Sequence, residues 1–466
     1  MSQGDGVQED NVDVMLTCTP LQQRMYTAFF QMIQKPYIVN NLVSLGSLDS
    51  DAVAVAWQRT VDRHGILRSV FVEDTQSRRV YRKVLKTWKA EVSSCSVRCE
   101  ADALEHSRRH LTEVRVSFLR NSLPPLSMRI YSLPSGMLLA HLVFGHILLD
   151  HVSLYHVMAD FAAIAHNGQG PVPALSTAPP DFSTYTGYLE NTRRLDDGNA
   201  YWAAQLRAVK PCCIPVEPAA AATGEMDPYA TGIVRFPVPL TAAMHDFLRE
   251  TETTLSNMLQ LAWAVLLHLY LNGQRWVLFG HLVSDRDIHL PQTQEIVGPM
   301  LAMMVTSLEL HDEMRVQEAL GSLQSDFARG LQHRTFDLTF VERELGYGRG
   351  GLFNTMVNYR KVKFSGDVGM EVRSVWSQDP HEQILVLAFN DGAAELDASI
   401  TYYKSLHTET TVRVLSEWYC RILNELVLDR QATVGSIRRR MGCFTAGSPT
   451  EGRDNDALPP VESGVA

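Results

Sequence analysis

The stretch Met137-Leu-Leu-Ala-His-Leu-Val-Phe-Gly-His-Ile-Leu-Leu-Asp-His151 decides how this chain folds. Its first eight residues, 137–144, are almost all apolar, a pattern typical of a strand that is buried on both faces. From Val152 to Ala165, apolar residues recur at three- and four-residue spacing. This spacing predicts an amphipathic helix. Residues 146–150 are therefore predicted to form a strand-to-helix turn inside the core.

The turn places two titratable residues, His146 and Asp150, on either side of three apolar ones. The apolar residues hold the turn against the core, so we expect both polar side chains to be rigid. A neutral imidazole, with an ordinary pKa of about 6.5, can accept a proton from an amine or an alcohol. The plainer interpretation is that His146 is a hydrogen-bonded core histidine and that Asp150 caps the helix. The spacing alone favours this plainer interpretation, because HxxxD occurs often by chance.

Strand-like and helical patterns alternate on both sides of this stretch, which predicts a mixed α/β protein. In the second half, strands are predicted at 232–238 and 275–280 and helices near 256–271 and 316–331. The Gly- and Pro-rich segment 168–180 is the best internal linker.

This pattern predicts four parts. Residues 1–12 are expected to be a disordered leader and residues 442–466 a disordered tail. Residues 13–180 are expected to form an N-terminal lobe that carries the HxxxD motif, and residues 181–441 a C-terminal lobe. Within the N-terminal lobe, apolar spacing predicts a helix over 51–68 that leads into a strand.

Composition limits the class of protein. Of 466 residues, 45% are hydrophobic and 20% are charged, which is typical of a folded globular chain. The formal net charge of −10 has the wrong sign for holding a nucleic-acid backbone. No apolar run reaches the ~20 residues of a membrane span, and the acidic N-terminus lacks the features of a secretion signal, so we expect a cytoplasmic protein. The seven cysteines contain no CxxC pair and indicate neither a disulfide framework nor a zinc site.

Seven short segments give the chain a resemblance to a known family. In order, they resemble the motifs of condensation domains from nonribosomal peptide synthetases, and they look most like those attached to fungal polyketide synthases. The segments are Leu16–Met25, Arg63–Phe71, Gly145–His151, Pro180–Tyr185, Val297–Met300, His333–Asp337 and Leu352–Arg360. One such motif is a weak signal, but seven in register over residues 13–432 are specific.

The resemblance implies a chloramphenicol acetyltransferase-like fold: two lobes in a V-shaped pseudo-dimer with a central tunnel, which donor and acceptor carrier proteins reach from opposite faces. It assigns the functional histidine to His146 and a structural role to Asp150, whose partner in an ion pair is expected to be Arg286. It also implies that the chain needs no dissociable cofactor, because the phosphopantetheine arm belongs to the carrier protein.

The chain departs from the family's HHxxxDG pattern. Gly145 replaces the first histidine, His151 replaces the final glycine, and Ala302 stands where an asparagine usually follows the Val-Gly motif. With Asn358, these three are the candidates for lining the tunnel. His151 could narrow the tunnel or act as a second base, or it could face solvent or cap the helix.

Other patterns indicate no further chemistry. Gly346–Gly351 matches GxGxxG, but a helical pattern precedes it and a strand pattern follows it, the reverse of a dinucleotide site. His141, His146, His151 and His156 recur every five residues and would not converge on a strand or a helix, so we predict no metal. Arg438–Arg440 could contact an acidic carrier protein, although a solvated charge run is the plainer interpretation.

The first functional hypothesis is an acyltransferase that joins a carrier-bound polyketide or peptidyl thioester to an amine or a hydroxyl group of a small nucleophile. A second is a repurposed enzyme that releases or cyclises a polyketide chain, as a pericyclase would. A third is a non-catalytic module that docks carrier proteins. Because the motifs begin near Met1 and no adenylation or carrier domain follows, we expect a free-standing protein or an excised domain that acts in trans.

Overall fold

The strand predicted before the turn is at the centre of the N-terminal sheet. In the structure, a computed structural model, it runs from Leu138 to Gly145, and all eight of its residues are buried. The structure describes residues 9–119, 123–167, 170, 177–192, 194–217, 229–361, 373–391, 395–429 and 431–442.

Helices and strands alternate along the described chain, which confirms the mixed α/β class. The helices are α1 (Pro20–Gln31), α2 (Ser50–Arg63), α3 (Glu100–Phe118), α4 (His151–Asn167), α5 (Phe182–Thr192), α6 (Leu195–Leu206), α7 (Ala242–Glu250), α8 (Leu255–Tyr270), α9 (Val316–Leu331), α10 (Leu338–Glu344), α11 (Glu409–Leu428) and α12 (Val434–Met441). The strands are β1 (Val12–Thr17), β2 (Ile38–Gly46), β3 (Ser69–Glu73), β4 (Val80–Leu85), β5 (Val92–Ser96), β6 (Leu126–Ser132), β7 (Leu138–Gly145), β8 (Thr231–Pro239), β9 (Trp276–Ser284), β10 (Leu301–Glu309), β11 (Thr355–Arg360), β12 (Arg373–Gln378), β13 (Leu385–Asp391) and β14 (Glu395–Tyr403).

Within the described residues, the strands form three sheets. The five-stranded sheet has the order β12-β2-β7-β6-β5, and the six-stranded sheet has the order β10-β9-β11-β13-β14-β8. Strand β7 is antiparallel to both neighbours, with Ile38 opposite Gly145 and Leu126 opposite Phe144. Strand β11 is parallel to β9 and to β13. A small sheet of order β1-β4-β3 completes the N-terminal half.

Local chemistry explains where the helices near the turn begin and end. Helix α2 starts after Asp49, whose side chain accepts a hydrogen bond from the Ala52 amide at 2.8 Å, as an N-cap does. The sequence predicted this helix over 51–68, but it ends at Arg63. His64 takes an extended conformation there, and Gly65–Arg68 form a 3₁₀ turn. The predicted helix after the turn is α4, and it contacts α2.

Two of the expected domain boundaries need correction. The leader is shorter than residues 1–12, because Glu9–Asn11 form a 3₁₀ turn and Val12 begins strand β1, which pairs with β4. The division at residue 180 is not clean either. Strand β12 lies in the second half of the sequence but pairs antiparallel with β2 at the edge of the N-terminal sheet. Residues 1–8, all of the linker 168–180 except 170 and 177–180, and the tail after Gly442 lie outside the described residues.

Apolar contacts continue from one half of the chain to the other. A single cluster of buried side chains includes Trp57 and Phe144 from the N-terminal half and Trp263 and Phe389 from the C-terminal half. None of the helices in the described ranges combines the length and the apolar character that a membrane span requires. The shared core fixes the two halves against each other around the end of β7.

Candidate active site

Backbone hydrogen bonds shape the turn that follows β7. The His146 amide donates to the Tyr37 carbonyl at 2.7 Å, and the Leu148 amide donates to the Gly145 carbonyl at 2.9 Å. Asp150 caps α4, because its Oδ1 accepts from the Ser153 amide at 2.7 Å. The apolar residues between His146 and Asp150 are all buried, so the turn is packed as the sequence predicted.

Arg286 is the partner of Asp150. Its Nη2 donates to Asp150 Oδ1 at 3.0 Å and to Oδ2 at 3.1 Å, and both side chains are at most 4% exposed. The same nitrogen reaches Ser153 Oγ at 2.9 Å, while Nη1 donates to the carbonyls of Thr293 and Ile296 at 2.9 Å. The geometry of the predicted pair is therefore present. It ties the turn to the loop before β10.

The second half of this network uses the backbone after the Val-Gly motif. The Met300 amide donates to Asp150 Oδ2 at 3.1 Å, and Ser153 Oγ accepts from the Gly298 amide at 2.9 Å. Gly298 has φ 154°, and a side chain there would lie 2.0 Å from the Phe182 ring, so only glycine fits. The network thus joins β7, α4 and the loop before β10 at one buried point.

His146 faces a different set of residues. The residue is 8% exposed, and its Nε2 lies 3.6 Å from Asp379 Oδ2. His381 Nε2 lies at the same distance from the same oxygen. The His146 and His381 rings are 6.0 Å apart, and the Tyr37 ring stands edge-on to both. One carboxylate is therefore placed between two imidazoles.

Tyr37 brings the turn and the Asp379 loop together. Its carbonyl accepts from the His146 amide, and its own amide donates to the Pro380 carbonyl at 2.7 Å. Its φ of 67° is left-handed, a conformation that costs a non-glycine residue about 1–3 kcal/mol. The Tyr37 hydroxyl donates to Glu382 Oε1 at 3.1 Å. Tyr37 is thus held at both ends while it joins the two segments.

Buried ion pairs hold Glu382 in turn. Arg24 bonds to Glu382 and also reaches Glu342 Oε2 at 3.0 Å, and Arg349 Nη1 lies 3.1 Å from Glu382 Oε2. The side chains of Arg24, Glu342 and Glu382 are at most 4% exposed. Burial alone would raise the pKa of Glu382, but the two guanidinium groups lower it. The anchored Glu382 fixes the loop that carries Asp379 and His381.

The electrostatics of the two site residues follow from their pairing. Burial alone would lower the pKa of His146, but the Asp379 carboxylate raises it above the ordinary value of 6.5. Burial alone would raise the pKa of Asp379, yet His146 and His381 hold it well below 3.8. The pairing therefore favours the imidazolium form of His146 and the carboxylate form of Asp379. The contact is longer than a hydrogen bond, as apo catalytic contacts often are.

The four candidates for lining a tunnel lie in different places. Gly145 lines a cavity of about 40 Å³ with Phe29, Phe71, Pro125 and other apolar residues. Ala302, in β10, lines another cavity of about 20 Å³ beside Arg24 and Asp285. His146 is not in the lining of either cavity.

His151 and Asn358 are the other two candidates. His151 is the first residue of α4 and is exposed, within electrostatic reach of Arg360 and Asp379. Asn358 is nearly buried in β11, opposite Ala388. A tunnel that connects all four candidates remains a prediction.

The remaining sequence patterns have structural explanations. His141 Nδ1 pairs with His110 Nδ1 at 2.9 Å, and His156 bonds to the Gln294 carbonyl, so the histidines spaced by five residues do not converge. Across the described ranges, no group of three or more His, Cys, Asp or Glu side chains could hold a metal ion. The loop 346–351 follows helix α10 and precedes strand β11, the order that the sequence predicted. Within the charge run, Arg438 and Arg440 pair with acidic neighbours.

Sequence reasoning missed Asp379, His381, Tyr37 and Arg360. Arg360 ends β11 and interacts electrostatically with Asp379. One feature of the sequence could have indicated the Asp379 loop. Two titratable residues flank Pro380, and this proline interrupts two strand-like segments. Nothing in that local pattern indicates that the loop lies beside His146, because 233 residues separate His146 from Asp379.

The fold and this turn define the chloramphenicol acetyltransferase-like class, a mixed α/β fold of two lobes. A family model described as the condensation domain matches residues 12–438. The chain therefore belongs to the condensation-domain family.

Particular relatives support the same assignment. The chain is 27% identical over 433 residues to "Nonribosomal peptide synthetase 4" of Gibberella zeae, an alignment that covers 89% of this chain and 5% of that synthetase. The chain thus spans about 5% of the length of that curated relative.

Solved structures show the same fold. The condensation domain of the Monacolin K polyketide synthase MokA superposes with a TM-score of 0.71 at 14% identity, covering 91% of this chain and all of that one. The X-domain in complex with OxyB from teicoplanin biosynthesis gives a TM-score of 0.75 at 16% identity, covering 94% and 97%.

Proposed function

We propose that this chain is a condensation-type acyltransferase that joins an acyl thioester on a carrier protein to the amine or hydroxyl group of a nucleophile. The observation that carries the proposal is the placement of His146. The residue is nearly buried at a clamped turn, and its Nε2 faces the partly exposed Asp379. A base must be held in a defined orientation within reach of its substrate, and the clamped turn supports the proposal by giving His146 a defined orientation.

The residues have separate roles in the proposed reaction. His146 takes the proton of the nucleophile as it attacks the thioester carbonyl, and the thiol of the pantetheine arm leaves. Asp150 and Arg286 hold the turn and do not contact substrate. No covalent enzyme intermediate is needed, and the only prosthetic arm belongs to the carrier protein, which we propose as the partner.

The test measures product formation with defined reagents. Hexanoyl-pantetheine is mixed with glycinamide or with glycolamide, and mass spectrometry detects the amide or the ester. We expect His146→Ala to lower the rate about 10²- to 10⁴-fold, the usual contribution of a general base. His311→Ala removes an exposed histidine that pairs with Glu313 and serves as the matched control.

Other outcomes would point to the other hypotheses. Unchanged rates in folded His146→Ala would remove the assignment of the base. A product of rearranged mass without acyl transfer would indicate a cyclising or releasing enzyme, and carrier binding without turnover would indicate a docking module. Circular dichroism of each variant separates loss of chemistry from loss of fold.

A further inference from the structure

Asp379 is the carboxylate that faces His146. Its Oδ2 lies 3.6 Å from Nε2 of both His146 and His381. Its side chain is 33% exposed, whereas Oδ1 is buried and has no hydrogen-bond partner among the described residues. The protein therefore leaves this carboxylate incompletely satisfied beside the proposed base, although a buried acceptor without a partner is costly.

The pairing determines which nitrogen of His146 can react. In serine hydrolase triads the carboxylate binds Nδ1, and Nε2 stays free to act as the base. Here the carboxylate faces Nε2, and the buried Nδ1 has no hydrogen-bond partner on another described residue. A neutral His146 that keeps its proton on Nε2 towards Asp379 has its lone pair on the buried nitrogen. In that state the imidazole cannot take a proton from substrate.

We propose that Asp379 binds the protonated amine of the nucleophile and thereby releases His146 Nε2 to act as the base, so that the site selects an amine over a hydroxyl group. This inference rests on the proposed function. An ammonium group supplies Asp379 with the donors that it otherwise takes from the imidazole. A hydroxyl group brings no positive charge, so it replaces the His146 imidazole as the partner of Asp379 less well.

The protons and charges balance through the reaction. When the ammonium group binds, imidazolium His146 loses its proton to solvent, so one cation replaces another beside Asp379. The bound ammonium then gives a proton to Nε2, and the neutral amine attacks the thioester carbonyl. The carbon–nitrogen bond forms, the carbon–sulfur bond breaks, and the pantetheine thiolate takes one of the two protons left on the nitrogen, while the other stays as the amide N–H. His146 is again an imidazolium beside Asp379, which stabilises the charge formed during catalysis.

The other charged groups around His146 are compatible with this exchange. Asp150 is already committed to Arg286. His381 faces the pair from the loop after β12, and Tyr37 faces it from the position just before β2. His151 and Arg360 lie within electrostatic reach from α4 and from the end of β11. The incoming ammonium group replaces the positive charge on His146, so the number of positive charges near Arg360 does not change. Arg360 therefore repels the ammonium group no more than it repels the imidazolium.

The test compares two nucleophiles of nearly the same size, glycinamide and glycolamide, with hexanoyl-pantetheine as donor. The variant is Asp379→Asn, and Asp246→Asn, an exposed carboxylate on α7 that pairs with Arg249, is the control. We expect Asp379→Asn to lower kcat/KM for glycinamide about ten- to a hundred-fold, mainly through KM, since a hydrogen bond to a charged group is lost. The rate with glycolamide should change little, and its rise with pH should begin at lower pH, because His146 loses its carboxylate.

An equal loss with both nucleophiles in a folded variant, or an unchanged preference for glycinamide, would overturn the inference and leave the acyltransferase proposal intact. If the wild type is inactive with both reagents, the proposed function fails instead. A binding measurement then decides the inference separately. In NMR spectra, glycinamide should shift the His146 ring resonances of the wild type but not those of Asp379→Asn, and glycolamide should shift neither. Absence of any shift in the wild type would refute the anchoring role of Asp379.

Discussion

Two polar clusters hold opposite sides of the same turn, and they differ in how closely their charged groups are paired and in how exposed those groups are. On one side, both oxygens of Asp150 and both terminal nitrogens of Arg286 have close partners, and the pair is at most 4% exposed. On the other side, Nε2 of His146 and Oδ2 of Asp379 are 3.6 Å apart, Asp379 is 33% exposed, and each residue has one buried polar atom without a partner on another described residue. Arg286 Nε is likewise buried without a partner in the described chain, so the contrast lies between the direct hydrogen bonds of the first pair and the longer, partly exposed contact of the second.

The difference separates a structural role from a chemical one. A buried ion pair joined by direct hydrogen bonds favours one conformation, because separating its partners leaves a buried charge unpaired. A partly exposed pair such as His146 and Asp379, whose contact is longer than a hydrogen bond, can exchange partners when a substrate arrives. We therefore expect changes in the Asp150–Arg286 cluster to reduce stability and changes in the His146–Asp379 pair to alter chemistry.

The largest expected effect comes from breaking the Asp150–Arg286 pair. Arg286→Ala should destabilise the protein by about 3–5 kcal/mol, because it leaves the buried Asp150 without its cation. Urea denaturation followed by circular dichroism measures the loss. If this variant does not fold, Asp150→Asn, which keeps an oxygen for the Ser153 amide, allows the same comparison.

Asp379→Asn is the matched comparison on the other side of the turn, and its loss should stay below about 1 kcal/mol. Equal losses for Arg286→Ala and Asp379→Asn would contradict the distinction between the two clusters.

A smaller effect is expected where β7 enters the turn. A Cβ on Gly145 would lie 3.2 Å from Pro125 Cβ and 3.3 Å from Ile147 Cγ2. Gly145→Ala should therefore cost about 1 kcal/mol, at the low end of the cost of overpacking. Gly321→Ala, inside α9 with nothing within 4 Å of the new Cβ, is the control and should stabilise by about 0.5–1 kcal/mol. A stabilising Gly145→Ala would show that this side of the turn is loosely packed.

The smallest expected effect is the pH dependence of the stability that the His146–Asp379 pair contributes. The stability due to the low pKa of Asp379 is present above pH 3.8 and is lost as pH falls below that value. The stability due to the raised pKa of His146 is complete below pH 6.5 and is lost as pH rises through the raised value.

The difference in unfolding free energy between wild type and Asp379→Asn should therefore be largest from about pH 4 to 6.5. Its size should be about 0.2–1 kcal/mol, because Asp379 is partly exposed. Denaturation at a series of pH values measures it, and a difference that stays constant up to pH 9 would contradict the pairing.

Much of the local structure could be predicted from sequence. The periodicities that placed a buried strand before residue 146 and a helix after residue 150 depend on neighbouring residues, and the structure has both elements. The end of α2 was predicted five residues late, because apolar spacing continues through the 3₁₀ turn Gly65–Arg68. Apolar spacing alone does not distinguish an α-helix from a short 3₁₀ turn.

The candidate site was predicted in part. The resemblance indicated Arg286 as the partner of Asp150, and the structure places the two in contact. Asp379 and His381 were missed because their position depends on strand β12, which crosses to the N-terminal sheet and pairs with β2. Tyr37 was missed because its role depends on backbone groups, which every residue carries.

The sequence by itself determined the turn, the identity of its two titratable residues and the mixed α/β class, since each follows from residue types at fixed spacing along the chain. Only the tertiary structure decided which carboxylate faces His146. That pairing depends on a strand exchanged between the halves and on Tyr37 bridging two segments through its backbone. Such contacts form between residues that are far apart in sequence, and no local pattern of residues encodes them.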